Sequence, residues 1–112
     1  MKIIYNSLIP FKGFLAINLF GILFVRKELK HKVTNVVINH ESIHTEQIKE
    51  LGYIPFYIIY LIEWFVRLIK KGNAYRNISF EQEAYTNERN LDYPKTRKRY
   101  NWLKYWNNKW GK

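Results

Sequence analysis

The run Val36-Val37-Ile38-Asn39-His40-Glu41-Ser42-Ile43-His44-Thr45-Glu46-Gln47 holds histidines four residues apart with a glutamate directly after the first. On a helix, positions i and i+4 lie about one turn apart on one face, so both imidazoles of an H-E-x-x-H segment can reach a single ion. Val37, His40, His44, Ile48 and Leu51 form one stripe at a 3.6-residue period, which places the histidines on the face the helix buries. Two imidazoles buried without partners would be costly, so the spacing points to a metal rather than to packing alone. Thr34 or Asn35 suits the N-cap of this helix, and Gly52 suits its stop after Leu51.

The rest of the chain limits what can accompany the pair. It has 112 residues, 47% apolar and 18% aromatic, too apolar for a disordered chain and of a size for one domain. There is no cysteine, which excludes disulfides, thiolate-held zinc, iron–sulfur clusters and thiol catalysis. Any metal must therefore be held by histidine and carboxylate. The net charge is +10. Seven of the nineteen Lys and Arg residues fall in 95–112, where there is no acid, so twelve bases meet nine acids before that segment. The basic tail also carries Trp102, Trp106 and Trp110, one face of a helix if the segment is helical, and such a mixture suits a membrane surface or a phosphate backbone. No helix-turn-helix or RNP-like pattern supports nucleic acid.

Before the motif, residues 7–25 are interrupted by Pro10, Lys12, Gly13, Asn18 and Gly21, which predicts short strands near 15–19 and 22–26 joined at Phe20-Gly21. Lys27–Val33 reads as a polar connector. No small-residue cleavage site follows the first apolar stretch, so no cleavable signal peptide is expected. After the motif, residues 53–69 (YIPFYIIYLIEWFVRLI) are apolar around the whole helix except for Glu63 and Arg67, which can pair. At about 26 Å the stretch falls just short of a bilayer core of about 30 Å. It is either a buried core helix or a membrane-associated one, so the expected location is membrane-associated or cytoplasmic. Lys70–Asn77 is a second connector, and Ser79-Phe80-Glu81-Gln82 fits a capping box opening a helix from Phe80 to about Leu91.

A catalytic zinc takes three protein ligands, so a third is needed. His31 sits among Lys27, Lys30 and Lys32, where a dication is unfavourable. Carboxylates on the later helix are better placed: Glu81, Tyr85 and Glu88 share a face, and Glu83 points elsewhere.

With H-E-x-x-H followed by a Glu-bearing helix, the chain resembles the gluzincin type of zinc metallopeptidase and a set of short bacterial chains of that kind. Phe80-Glu81-Gln82-Glu83-Ala84-Tyr85 resembles the Glu-x-x-Ala-Asp helix of membrane-associated members, and His44-x-x-Gln47 resembles an extended form of the motif. The resemblance implies His40, His44 and Glu81 as zinc ligands and Glu41 as general base for hydrolysis of a peptide or protein substrate. Tyr85 stands where that family has an acid, leaving it either to hydrogen-bond there or to support the oxyanion; in a shifted register Glu83 is the ligand. Tyr75 and Arg76 are further oxyanion candidates. An edge strand ahead of the motif helix pairs with substrate in such enzymes, and 22–26 is the candidate. The expectation is one α+β, zincin-like domain over 1–112, with 95–112 as its basic aromatic tail. The alternatives are a non-catalytic, membrane-associated metal-binding protein and a basic module for membrane surface or nucleic acid.

Overall fold

The computed structural model describes residues 1–69 and 74–106. The fold is α+β: three short strands, β1 (Lys2–Asn6), β2 (Ala16–Leu19) and β3 (Ile22–Arg26), precede a series of helices. The order across the sheet is β1-β3-β2, with β1 parallel to β3 and β2 antiparallel to it. Phe20 and Gly21 join β2 to β3 with φ of 55° and 93°, the two left-handed residues of a tight hairpin turn. Two features differ from the sequence reading. Strand β1 was not expected, and 22–26 is the central strand, paired on both sides, so the edge that faces the motif helix is β2.

Helix α1 (Asn35–Glu50) carries the motif. The Thr34 hydroxyl accepts from the Val37 amide at 3.2 Å, and the helix ends ahead of Gly52 at φ 77°. The Asn18 side chain of β2 donates at 3.0 Å to both the Glu41 carbonyl and Thr45 Oγ1, which fixes the edge strand to the middle of α1. Lys27–Lys32, expected as a connector, is a 3-10 turn.

Helix α2 (Ile54–Leu68) turns sharply back from α1, by 112°. Among the described residues no single helix is long and apolar enough to cross a membrane. Helix α3 (Ala74–Asn77) is one turn, and α4 (Ser79–Asn87) is the Glu-bearing helix. The expected capping box is not formed. The Glu63 carboxylate of α2 takes that place, accepting from the Ser79 amide and hydroxyl, both at 2.7 Å, and α4 closes at Asn87 rather than near Leu91. Helix α5 (Tyr93–Thr96) and a 3-10 turn over Asn101–Tyr105 follow.

Ile48, Phe56, Ile78, Phe80 and Trp102 form the core, joining α1, α2, α4 and the final turn. Trp102 packs on Phe80 at 4.6 Å between rings. Burying a side chain of the size of Phe80 contributes about 1.5–3 kcal/mol, so this cluster holds α4 against α1. The indoles do not form the expected helical stripe: Trp102 is buried, Trp106 is half exposed on a 3-10 turn, and Trp110 lies outside the described residues.

Candidate metal centre

Helices α1 and α4 bring His40, His44 and Glu81 together. His40 Nε2 and His44 Nε2 lie 3.2 Å apart, and Glu81 Oε1 lies 3.1 Å from each. All three side chains are buried. Ligands of a tetrahedral zinc at about 2.0–2.1 Å stand about 3.3–3.4 Å from one another. The cluster is within a few tenths of an ångström of that spacing.

The partners behind the triad decide what it can hold. His40 Nδ1 is 2.8 Å from Glu88 Oε1, and His44 Nδ1 is 2.8 Å from Gln47 Oε1. The Gln47 amide nitrogen donates to the Phe80 carbonyl at 3.0 Å and to Glu83 Oε1 at 2.9 Å, so its oxygen is the atom left for His44. Both Nδ1 atoms must then carry the ring proton, and the neutral imidazoles turn their Nε2 lone pairs towards Glu81 Oε1. With both rings neutral three lone pairs meet there, an arrangement that either a metal ion or a proton on one Nε2 satisfies.

The electrostatics agree with this. Burial opposes a charged imidazole at His44, but the Glu81 carboxylate overrides it, with help from Glu41 and Gln47, and pushes the pKa up to about 9. Burial works against the Glu81 carboxylate as well, and the two imidazoles nonetheless hold it well below the usual range. A proton supplies the positive charge that the donor set calls for. Two imidazoles and one carboxylate suit zinc and other divalent first-row ions.

Glu81 Oε2 accepts from the Tyr60 hydroxyl at 2.8 Å, which turns Oε1 to the histidines. Tyr60 was not singled out from sequence, where it is one aromatic among many in an apolar helix. Glu83 is fully buried on the other side of α4, held by Arg97, Tyr93 and Gln47. Tyr85 lays its ring edge-to-face on His40 at 4.6 Å, with the Arg76 guanidinium 4.2 Å over it; the carboxylate that accepts from His40 Nδ1 is Glu88, one turn further along. His31 is exposed on its 3-10 turn and takes no part.

A cleft of about 260 Å³ opens beside the triad. Glu41, His44 and Glu81 line it together with Ala16, Ile17 and Asn18 of β2 and with Phe56, Tyr57 and Tyr60 of α2; Tyr75 is also on its wall. Burial raises the Glu41 carboxyl above its ordinary pKa, against the pull of His44 and His40. Burial and the Glu81 charge also raise Tyr60 and Tyr75, which stay hydroxyl donors. Leu15's carbonyl accepts from Arg26 at 3.1 Å and Asn18's carbonyl from the Tyr57 hydroxyl at 3.1 Å. Main-chain groups of odd-numbered residues in β2 therefore face β3, and those of Ala16 and Asn18 face the outer edge.

No protein-family model, curated protein or solved structure matches this chain.

Proposed function

We propose that the protein is a small, zincin-like metallopeptidase in which His40, His44 and Glu81 hold zinc and Glu41 is the general base. The observation that carries this reading is the meeting of two imidazole lone pairs and a carboxylate oxygen at 3.1–3.2 Å, each imidazole fixed from behind. A bound dication supplies Lewis acidity, polarising a peptide carbonyl and making nearby water more acidic.

The chain's own groups do the remainder. Glu41, with its proton affinity raised by burial, accepts a proton from water in the cleft and passes it to the departing amine. Tyr75, whose hydroxyl is shared with Tyr85, lies on the cleft wall and can turn to the carbonyl oxygen as it gains charge, and the Tyr60 hydroxyl is committed to Glu81. The free edge of β2 offers the Ala16 amide and carbonyl and the Asn18 amide to an extended peptide, in the place the sequence reading assigned to 22–26. This edge lies on the cleft wall beside Glu41 and Glu81.

The test is elemental analysis of untagged protein beside hydrolysis of a mixed-peptide library. One zinc per chain is expected in wild type, Glu41→Gln and Glu83→Ala, and none in His44→Ala or Glu81→Ala. Hydrolysis is expected to fall by about 10²–10⁴-fold in Glu41→Gln. Failure to retain zinc after loading overturns the metal site, and equal hydrolysis by wild type and Glu41→Gln overturns the role of Glu41.

A further inference from the structure

Helix α2 is built inside out. Its polar side chains point into the protein: Glu63 is 3% exposed and binds Ser79, Arg67 pairs with Glu63 at 3.4 Å and donates to the Trp106 carbonyl at 2.8 Å, and Tyr60 binds Glu81. The opposite face is apolar without interruption. Ile54, Ile58, Leu61, Ile62, Phe65 and Ile69 follow one another along it at helical spacing, each more than half exposed. A continuous apolar face on a helix whose two charged side chains pair with each other on the inner side calls for an apolar partner.

We propose that this face lies in the surface of an anionic lipid bilayer, with α2 parallel to the membrane plane. Three observations choose lipid over other partners. First, α2 has 15 residues, about 22 Å at 1.5 Å each, which is too short to cross a core of about 30 Å but suits a helix lying in the interface. Second, aromatic rings mark both ends of the helix: Phe20 and Tyr53, in contact at 6.3 Å, at its start, and Trp106, tied to Arg67, at its finish, all of them 42–51% exposed. Amphipathic rings favour that depth of a bilayer. Third, the charge complements an anionic surface. The chain carries +10, with nineteen Lys and Arg residues against nine Asp and Glu. A second copy would bring two such charges together, whereas anionic lipid is attracted by them.

The inner face of the same helix forms a wall of the cleft through Phe56, Tyr57 and Tyr60. Docked in this way, the cleft lies about one helix diameter, about 10–12 Å, from the bilayer. Neither metal nor Glu41 enters the docking, so its test is independent of hydrolysis.

The absence of cysteine allows one label per molecule, placed at Ile62→Cys on the face or at Leu91→Cys, equally exposed, off α2. With an environment-sensitive dye, phosphatidylcholine vesicles containing phosphatidylglycerol are expected to shift the emission to the blue at position 62 and to leave position 91 unchanged. In flotation, the unlabelled protein is expected to bind these vesicles and to bind pure phosphatidylcholine at least about tenfold more weakly. Ile58→Glu with Phe65→Glu is expected to lower binding by about tenfold or more, while Leu91→Glu leaves it unchanged. Both positions are exposed, and circular dichroism checks that the double variant is folded. Any of three results overturns the proposal: folded wild type that does not float, flotation unaffected by the double substitution, or a dye at position 62 already shielded in buffer by a second copy or by the chain itself.

Discussion

Glu88 Oε1 stands 2.8 Å from Nδ1 of His40, so the carboxylate seven residues beyond Glu81 fixes the tautomer of the histidine that opens the motif. Its side chain is 21% exposed, so its loss falls on the ring's orientation more than on the fold. Glu88→Ala is expected to weaken zinc binding by about 10–100-fold, with Glu88→Gln recovering much of the loss because an acceptor oxygen remains. Competition with a chromophoric chelator reads both. An unchanged Kd in Glu88→Ala would remove Glu88 from any orienting role.

Glu83 is expected to behave in the opposite way. It is completely buried and accepts from Arg97 Nε at 2.7 Å, Arg97 Nη2 at 2.8 Å and the Tyr93 hydroxyl at 2.8 Å. Glu83→Ala leaves Arg97 with Glu50 alone and is expected to cost about 3–5 kcal/mol in urea denaturation. The fraction that folds still takes up one zinc. Loss of zinc from folded Glu83→Ala, with retention in Glu81→Ala, would exchange their roles.

The difference between these two glutamates is partly legible in the sequence. The i, i+4, i+7 relation of Glu81, Tyr85 and Glu88 puts them on one face and Glu83 on another, and the motif stripe and the Thr34 and Gly52 boundaries are local signals of the same kind. What could not be read depends on distant pairing. Lys2–Asn6 is a strand because it lies parallel to β3, twenty residues further on, and neither segment encodes which of its neighbours it will accept. Alternation likewise does not say whether 22–26 is an edge or a centre. Ser79 has the right residue three positions ahead for a capping box, yet a carboxylate from α2 competes successfully because it is buried beside Ser79 and charged. Tyr60 and Glu88 acquire their roles only when α2 and α4 meet α1.

Zinc at the proposed site is expected to raise stability. The triad's lone pairs converge within a buried space, so an ion that binds only the folded chain stabilises it by about 2.7 kcal/mol at a hundred times its Kd. Chelator-treated protein is expected to unfold at a lower temperature than the same protein with zinc restored, and Glu81→Gln to unfold at the same temperature with or without zinc. A melting temperature in wild type that ignores zinc would contradict the site.

Glu63 links the stability of α4 to the position of Glu81. Its two oxygens accept from the Ser79 amide and hydroxyl at the first residue of α4, and Glu81 is two residues further along that same turn. Each hydrogen bond to a buried carboxylate contributes about 1.5–3 kcal/mol, and Glu63→Ala also leaves Arg67 without its ion-pair partner on α2. Glu63→Ala is therefore expected to destabilise by about 3 kcal/mol or more, and Glu63→Gln by less, since one oxygen still accepts. The second expected effect is on the metal: with its first turn released, α4 holds Glu81 less firmly against His40 and His44, and zinc affinity falls in the same order as stability. Urea midpoints and chelator competition on the same samples test the link. A fully stable Glu63→Ala protein would show that α4 is capped by other groups, and lost stability with unchanged zinc affinity would show that Tyr60 and the histidines suffice to place Glu81.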